Sequence, residues 1–145
     1  MSDERKRKKK SGPPEVFLDF EQACRESFGF LEEDYGFERG PLEVYGYEGS
    51  ILFQSPGVAF RVLYEQGSGG PWVLISARVG EVLAEAGLHH LIAKRCPERA
   101  VPPARGLLPD AEVRELLRRY AEALKDCGQD LLRGDASSLP SLSDN

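Results

Sequence analysis

The 145-residue sequence predicts an α+β fold: a four-stranded antiparallel meander sheet with N-terminal and C-terminal helices packed on one face. Three observations predict it. Apolar residues recur at three- and four-residue spacing near both ends of the chain, which marks helices with one buried stripe. Between those ends the apolar period falls to two, the signature of half-buried strands. The alternating segments are also separated by only a few turn-forming residues, too few for the crossover that parallel neighbours require.

The first stripe runs through Val16, Phe17, Phe20, Ala23, Cys24, Phe28 and Leu31. It describes a helix of about four turns, entered through Ser11-Gly12-Pro13-Pro14 and ended by Tyr35 at the latest. Gly36 can take the left-handed conformation that closes a helix, and Tyr35 and Phe37 then fold back onto the helix end. Alternation follows over Leu42–Tyr47, Ile51–Gln54, Val58–Glu65 and Trp72–Val79. Breakers at Glu48-Gly49-Ser50, Ser55-Pro56-Gly57 and Gly67-Ser68-Gly69-Gly70 separate the four strands. Glu81–Ala86 and Leu88–Arg95 read as short helical turns, and the prolines between Cys96 and Pro109 read as a loop. The last stripe, Val113, Leu116, Leu117, Tyr120, Leu124, Cys127 and Leu131, is supported by Asp110–Arg114 and Glu115–Arg119 at helical spacing. Gly134 ends it, and Asp135 can accept backbone amides in the turn beyond. The expected organisation is a disordered basic arm over 1–14, a single α+β domain over 15–135 and a flexible tail over 136–145.

Charge divides the chain in the same way. The net charge is -5. The arm sets Arg5, Lys6, Arg7, Lys8, Lys9 and Lys10 against Asp3 and Glu4, a local excess of about +4 that leaves the remainder near -9. A body this acidic repels nucleic-acid phosphates, so nucleic-acid contact is expected only through the arm. No stretch is long and uncharged enough to span a bilayer, and the arm is followed by no apolar run of a secretory signal. A cytoplasmic location without membrane contact is expected. Three cysteines, Cys24, Cys96 and Cys127, cannot all pair, which argues against a disulfide scaffold and for cysteines packed as small hydrophobes.

Catalytic signatures are weak. The glycine cluster after Tyr64 leads into another strand and not into a helix N-terminus, so it suits a hairpin better than a phosphate cradle. His89 and His90, the only histidines, point about 100° apart on a helix and lack metal-ligand companions at a recognised spacing. One is expected half-buried and the other exposed. Glu32-Glu33-Asp34 ends a helix, where negative charge is disfavoured. The reading is therefore no catalytic residues, no metal and no cofactor. The alternative is a small hydrolase or transferase using the His89, His90 and Cys96 region with a carboxylate from Glu32–Asp34.

The wet face of the sheet is more informative. Pairing Tyr64 with Val73 across the glycine hairpin matches the core faces of both strands. It sets Arg61 and Leu63 against Trp72, Leu74 and Arg78 on the opposite face. Two leucines and a tryptophan ringed by charge form a candidate partner-binding surface: Arg61, Leu63, Trp72, Leu74 and Arg78.

Three segments carry a resemblance: Phe28-Gly29-Phe30-Leu31 with Tyr35-Gly36-Phe37, the strand Val58–Glu65, and Tyr120–Leu124 leading to Leu131-Leu132-Arg133-Gly134-Asp135. Over about residues 16–139 they resemble a class of small bacterial α+β proteins of uncharacterised function. Those read as a helix, a Tyr-Gly-Phe-like turn, an antiparallel meander and a last helix closing in Leu-Leu-x-Gly-Asp. The resemblance implies an immunity or stress-associated binding partner and brings no catalytic residues. The functional expectation is a non-catalytic protein-binding module of immunity type that neutralises a toxin. An acidic body suits a basic partner, because complementary charge speeds encounter.

Overall fold

A computed structural model describes residues 15–65, 69–100 and 110–143. The basic arm, residues 66–68 at the start of the glycine cluster, most of the proline-rich segment and residues 144–145 lie outside the described residues. The chain runs α1 (Glu15–Tyr35), β1 (Glu38–Arg39), β2 (Glu43–Tyr45), β3 (Glu48–Gln54), β4 (Ala59–Glu65), β5 (Gly69–Val79) and β6 (Val82–Gly87). It continues through α2 (Leu88–Arg95), a 3₁₀ turn (Pro97–Arg99), α3 (Asp110–Cys127), α4 (Gln129–Leu132) and α5 (Leu139–Ser143). The fold is α+β with an antiparallel sheet, but the sheet has six strands and not four.

Strands order β1-β3-β4-β5-β6, and β2 pairs with β3 beside β1, so two short strands share one edge. The meander of β3, β4 and β5 is present, with different boundaries. The β2–β3 turn falls at Gly46-Tyr47, because Gly46 takes φ +61° at the first of two turn positions, a glycine-first arrangement that suits a tight hairpin. Glu48-Gly49-Ser50, expected as a breaker, is thereby strand. The same device, Gly80 at φ +66°, reverses β5 into β6, so Val82–Gly87 is a strand where helical turns were expected.

Alternate side chains of each long strand point to the core. Ile51 and Phe53 of β3, Phe60, Val62 and Tyr64 of β4, Val73, Ile75 and Ala77 of β5 and Ala84 and Ala86 of β6 are all buried. Against them pack the aromatic residues of α1: Phe17 meets Tyr64 edge-on, Phe20 stacks on it, and Phe28 lies against Phe53. Ring pairs at these separations of 5.6 to 6.2 Å add to plain burial. Phe17 comes so close that a Cβ on Gly49 would stand 2.5 Å from its Cδ1. Gly49 is in the strand because nothing larger fits beneath that ring.

α1 extends over 21 residues. It ends on Gly36 at φ +74°, with the Phe37 amide donating back to the Leu31 carbonyl at 2.9 Å, a left-handed cap of the kind the sequence suggests. Glu32 at that end is met by Arg39 of β1, Nε to Oε1 3.6 Å, which offsets its unfavourable position on the helix. α3 buries Val113, Leu117, Tyr120 and Leu124. Its Arg114 bonds to Glu26 of α1, while Arg118 holds Glu115 and Glu122; the Asp110 side chain lies outside the described residues. Leu131 belongs to the separate α4, after a break at Gly128.

The C-terminal segment departs from expectation. Ala136, Leu139 and Leu142 are buried in the common core, and Lys94 donates to the Ser141 carbonyl at 2.7 Å. Residues 136–143 are therefore a packed element and not a flexible tail, because leucines three apart in a short helix supply enough apolar area to hold it. Two of the three cysteines are also joined. Cys96 at the end of α2 and Cys127 at the end of α3 form a disulfide, leaving Cys24 buried and free. Above it Arg95 clasps the same junction, donating to the Cys127 carbonyl (2.9 Å), to both oxygens of Asp130 (2.8 and 3.0 Å) and to Ser138 Oγ (2.7 Å).

Candidate functional site

The residues that alternate with the core positions form the second face of the sheet. Register sets them in rows. Ser50, Leu63 and Trp72 lie side by side across β3, β4 and β5, and the next row is Leu52, Arg61 and Leu74. Directly opposed side chains are about 5 Å apart at Cβ, so these six form a continuous surface. Leu74 is 40% exposed, Leu52, Leu63 and Trp72 are half-buried, and Ser50 is buried among them. Arg61 Nη1 donates to Ser50 Oγ at 3.4 Å, so the guanidinium lies along the apolar rows. Arg78 is exposed on the same face further along β5, opposite Leu83, which is 61% exposed.

The observed pairing is Val62 with Val73 and Leu63 with Trp72, not Tyr64 with Val73. Beyond Leu63 the ladder is irregular, and Glu65 pairs with Gly69. The slip is two residues, and an even slip leaves every side chain on its expected face. All five candidates, Arg61, Leu63, Trp72, Leu74 and Arg78, consequently share one face.

Sequence reasoning missed two contributors to this surface. Leu52 extends the second row, and His89 closes it. Gly87 pairs with Leu74, and a Cβ added there would meet His89 Cε1 at 2.4 Å. The imidazole therefore covers Gly87 beside Leu74. His90 stacks against it with ring centroids 4.2 Å apart, and both histidines are exposed, in place of one half-buried and one open. Desolvation first, and then the neighbouring His90, lower the His89 pKa from its ordinary 6.5, so the ring favours its neutral form. The signal for Leu52 was the alternation of β3, and that for His89 was the alternation of β6, obscured by the adjacent Val82 and Leu83.

The elements of the enzymatic alternative are apart. His89 and His90 open α2 and Cys96 follows its far end, roughly 10 Å along the axis at 1.5 Å per residue. Cys96 is bonded to Cys127, and a disulfide sulfur offers no thiolate. Among the described residues no three His, Cys, Asp or Glu side chains gather to hold a metal. A concavity of about 390 Å³ between α1 and α3 is lined by Glu26, Arg114, Glu115, Arg118 and Glu122. Those charges are spent on one another, Arg114 on Glu26 and Arg118 on Glu115 and Glu122. No described helix is long and apolar enough to cross a membrane.

No family model, curated protein or solved structure matches the chain.

Proposed function

We propose that the protein is a non-catalytic binding module whose partner docks on the sheet face carrying Leu52, Arg61, Leu63, Trp72 and Leu74. In this reading the helices cover the opposite face, where Phe17, Phe20 and Phe28 meet Tyr64 and Phe53. The observation that carries the proposal is the composition and register of the two central rows. A tryptophan, three leucines and an arginine lie together on the face that alternates with the core, and Trp and Arg are the residue types that most often anchor interfaces. A monomer has little reason to keep such a patch on a strand face that polar residues could fill.

The partner is a protein, and its chemistry follows from the surroundings. Glu43, Glu48, Glu65 and Glu85 lie on the same face by register and border the rows. A basic protein surface with an apolar centre is the complement, as an immunity-type neutraliser of a basic toxin would require. The test is site-specific photo-crosslinking in cells that make the protein. A photoreactive side chain replacing Leu74 should capture a discrete protein, and adding Trp72→Ala should abolish the capture. The same probe replacing exposed Leu18 on α1 should capture nothing comparable. Capture from position 18 alone, or equally from both, would place the interface elsewhere.

A further inference from the structure

We propose that the Cys96–Cys127 bond is a redox-controlled latch on α5: while the bond is closed the helix is docked, and when it is reduced α5 leaves the core. The latch lies within the chain and stands whether or not the partner proposed above exists. It begins from what holds α5 in place. A helix of five residues is too short to persist alone, so its position depends on its contacts. Leu139 and Leu142 are buried in the common core, and α5 packs against β6 and β5, where β6 buries only the small Ala84 and Ala86. Its polar anchors come from two consecutive residues at the end of α2. Lys94 donates to the Ser141 carbonyl at 2.7 Å and Arg95 to Ser138 Oγ at 2.7 Å, while Ser138 Oγ donates to Asp130 Oδ2 at 3.0 Å.

Those two residues directly precede Cys96, and Asp130 follows shortly after Cys127, so the disulfide closes a ring around the anchor. Arg95 spans the same ring, from the Cys127 carbonyl to both Asp130 oxygens. The Arg95 and Asp130 side chains are 28% and 30% exposed, and an ion pair open to water is weak by itself. The covalent bond supplies what the pair lacks. It holds the end of α2 against the junction of α3 and α4, so that the guanidinium meets Asp130 and Ser138 at high effective concentration. With the bond open, α5 keeps its leucines but loses the fixed geometry of its anchors, which places it among the segments that open locally. Cys127 is half-buried where Cys96 is buried, so Cys127 is the sulfur that a small thiol reaches. Reduction is an exchange with a glutathione-type thiol. Its thiolate bonds to Cys127 Sγ, the S–S bond breaks with its electron pair on Cys96 Sγ, and that thiolate takes up the proton the reductant gave away. A second reductant thiol then displaces the first from Cys127, leaving two protein thiols and one reductant disulfide. The reverse exchange, with the reductant disulfide as oxidant, closes the latch.

The test is hydrogen–deuterium exchange with mass spectrometry on the intact protein, in buffers of oxidised or reduced glutathione. With the bond closed, residues 136–143 should exchange about a hundredfold or more slowly than the free peptide. In excess reduced glutathione they should come within about tenfold of the free peptide, while β4 stays protected by orders of magnitude. Glutathione disulfide should restore the protection, and the C96S/C127S variant should show the open pattern in both buffers. The proposal is overturned by a bond that stays closed in excess reduced glutathione, by protection of 136–143 that persists once the bond is open, or by no recovery on reoxidation. It is equally overturned if C96S/C127S is protected like the closed protein, or if 136–143 and β4 lose protection together, which would make the bond a staple of the whole domain.

Discussion

A Cβ at Gly49 would collide with the Phe17 ring, whereas one at Gly29, on α1, would meet nothing within 4 Å. The two glycines therefore answer substitution with opposite sign. Gly49→Ala must push Phe17 off Tyr64 and should cost about 1–3 kcal/mol in urea unfolding. Gly29→Ala restores a helix former to a helix interior and should add roughly 0.5–1 kcal/mol. Equal effects would mean that Phe17 does not sit over Gly49. His89 gives a pH-dependent counterpart. Its folded pKa lies below the unfolded 6.5, so its contribution is complete above 6.5 and is lost as pH falls from 6.5 through the folded value. The native protein should therefore lose stability more steeply than His89→Gln between about pH 7.5 and 5. Parallel curves would remove His89 from its place over Gly87. Neither position reveals this in the sequence. Gly49 reads as a breaker and His89 as a potential base, because the neighbour that defines each lies on another element.

Among the elements, legibility followed the amount of apolar patterning. α1 and α3 carry long stripes and α1 ends on its Gly36 cap, so both were readable, although Gly134 closes the short α4 and not α3; β4 and β5 alternate cleanly over Val58–Glu65 and Trp72–Val79. β6 was misread because Ala84 and Ala86 are small and fit a helical turn as well as a pleat, so its identity comes from pairing with β5 and the Gly80 turn. β1 is two residues long and exists only because Phe53 and Gln54 offer it an edge. α5 hid among serines and a proline, although Leu139 is as buried as any core leucine and Leu142 is nearly so. Leu139→Ala should accordingly cost about 2–5 kcal/mol, similar to Leu117→Ala, where a frayed tail would show no change. The disulfide was hidden too, since 31 residues separate Cys96 from Cys127 and only the meeting of α2 with α3 brings them together. Denatured, unreduced protein should take up one alkyl group, at Cys24, and reduced protein three. Reduction should lower unfolding stability by about 3–4 kcal/mol in the chain-entropy description of a loop this long. Three alkyl groups without reductant would show the bond unformed.

At the scale of the molecule, the division of labour follows from the sheet. Its inner residues share one core with those of α1 and α3, and its outer residues carry the rows proposed to meet a partner. The location of that outer surface was legible because strand alternation fixes faces even when register slips by two, as it does between Tyr64 and Val73. Its extent was not, because Leu52 and His89 join it through pairings that alternation alone does not specify. Charge adds a border of carboxylates, Glu43, Glu48, Glu65 and Glu85, around an apolar centre.

The central claim is that this face binds a protein, and the affinity of the partner captured from position 74 tests it most directly. Titration calorimetry of that partner should show Trp72→Ala weakening binding by roughly 2 kcal/mol or more, about thirtyfold, while Leu18→Ala on α1 leaves it unchanged. Equal affinity for native protein and Trp72→Ala, or a loss confined to Leu18→Ala, would contradict the account.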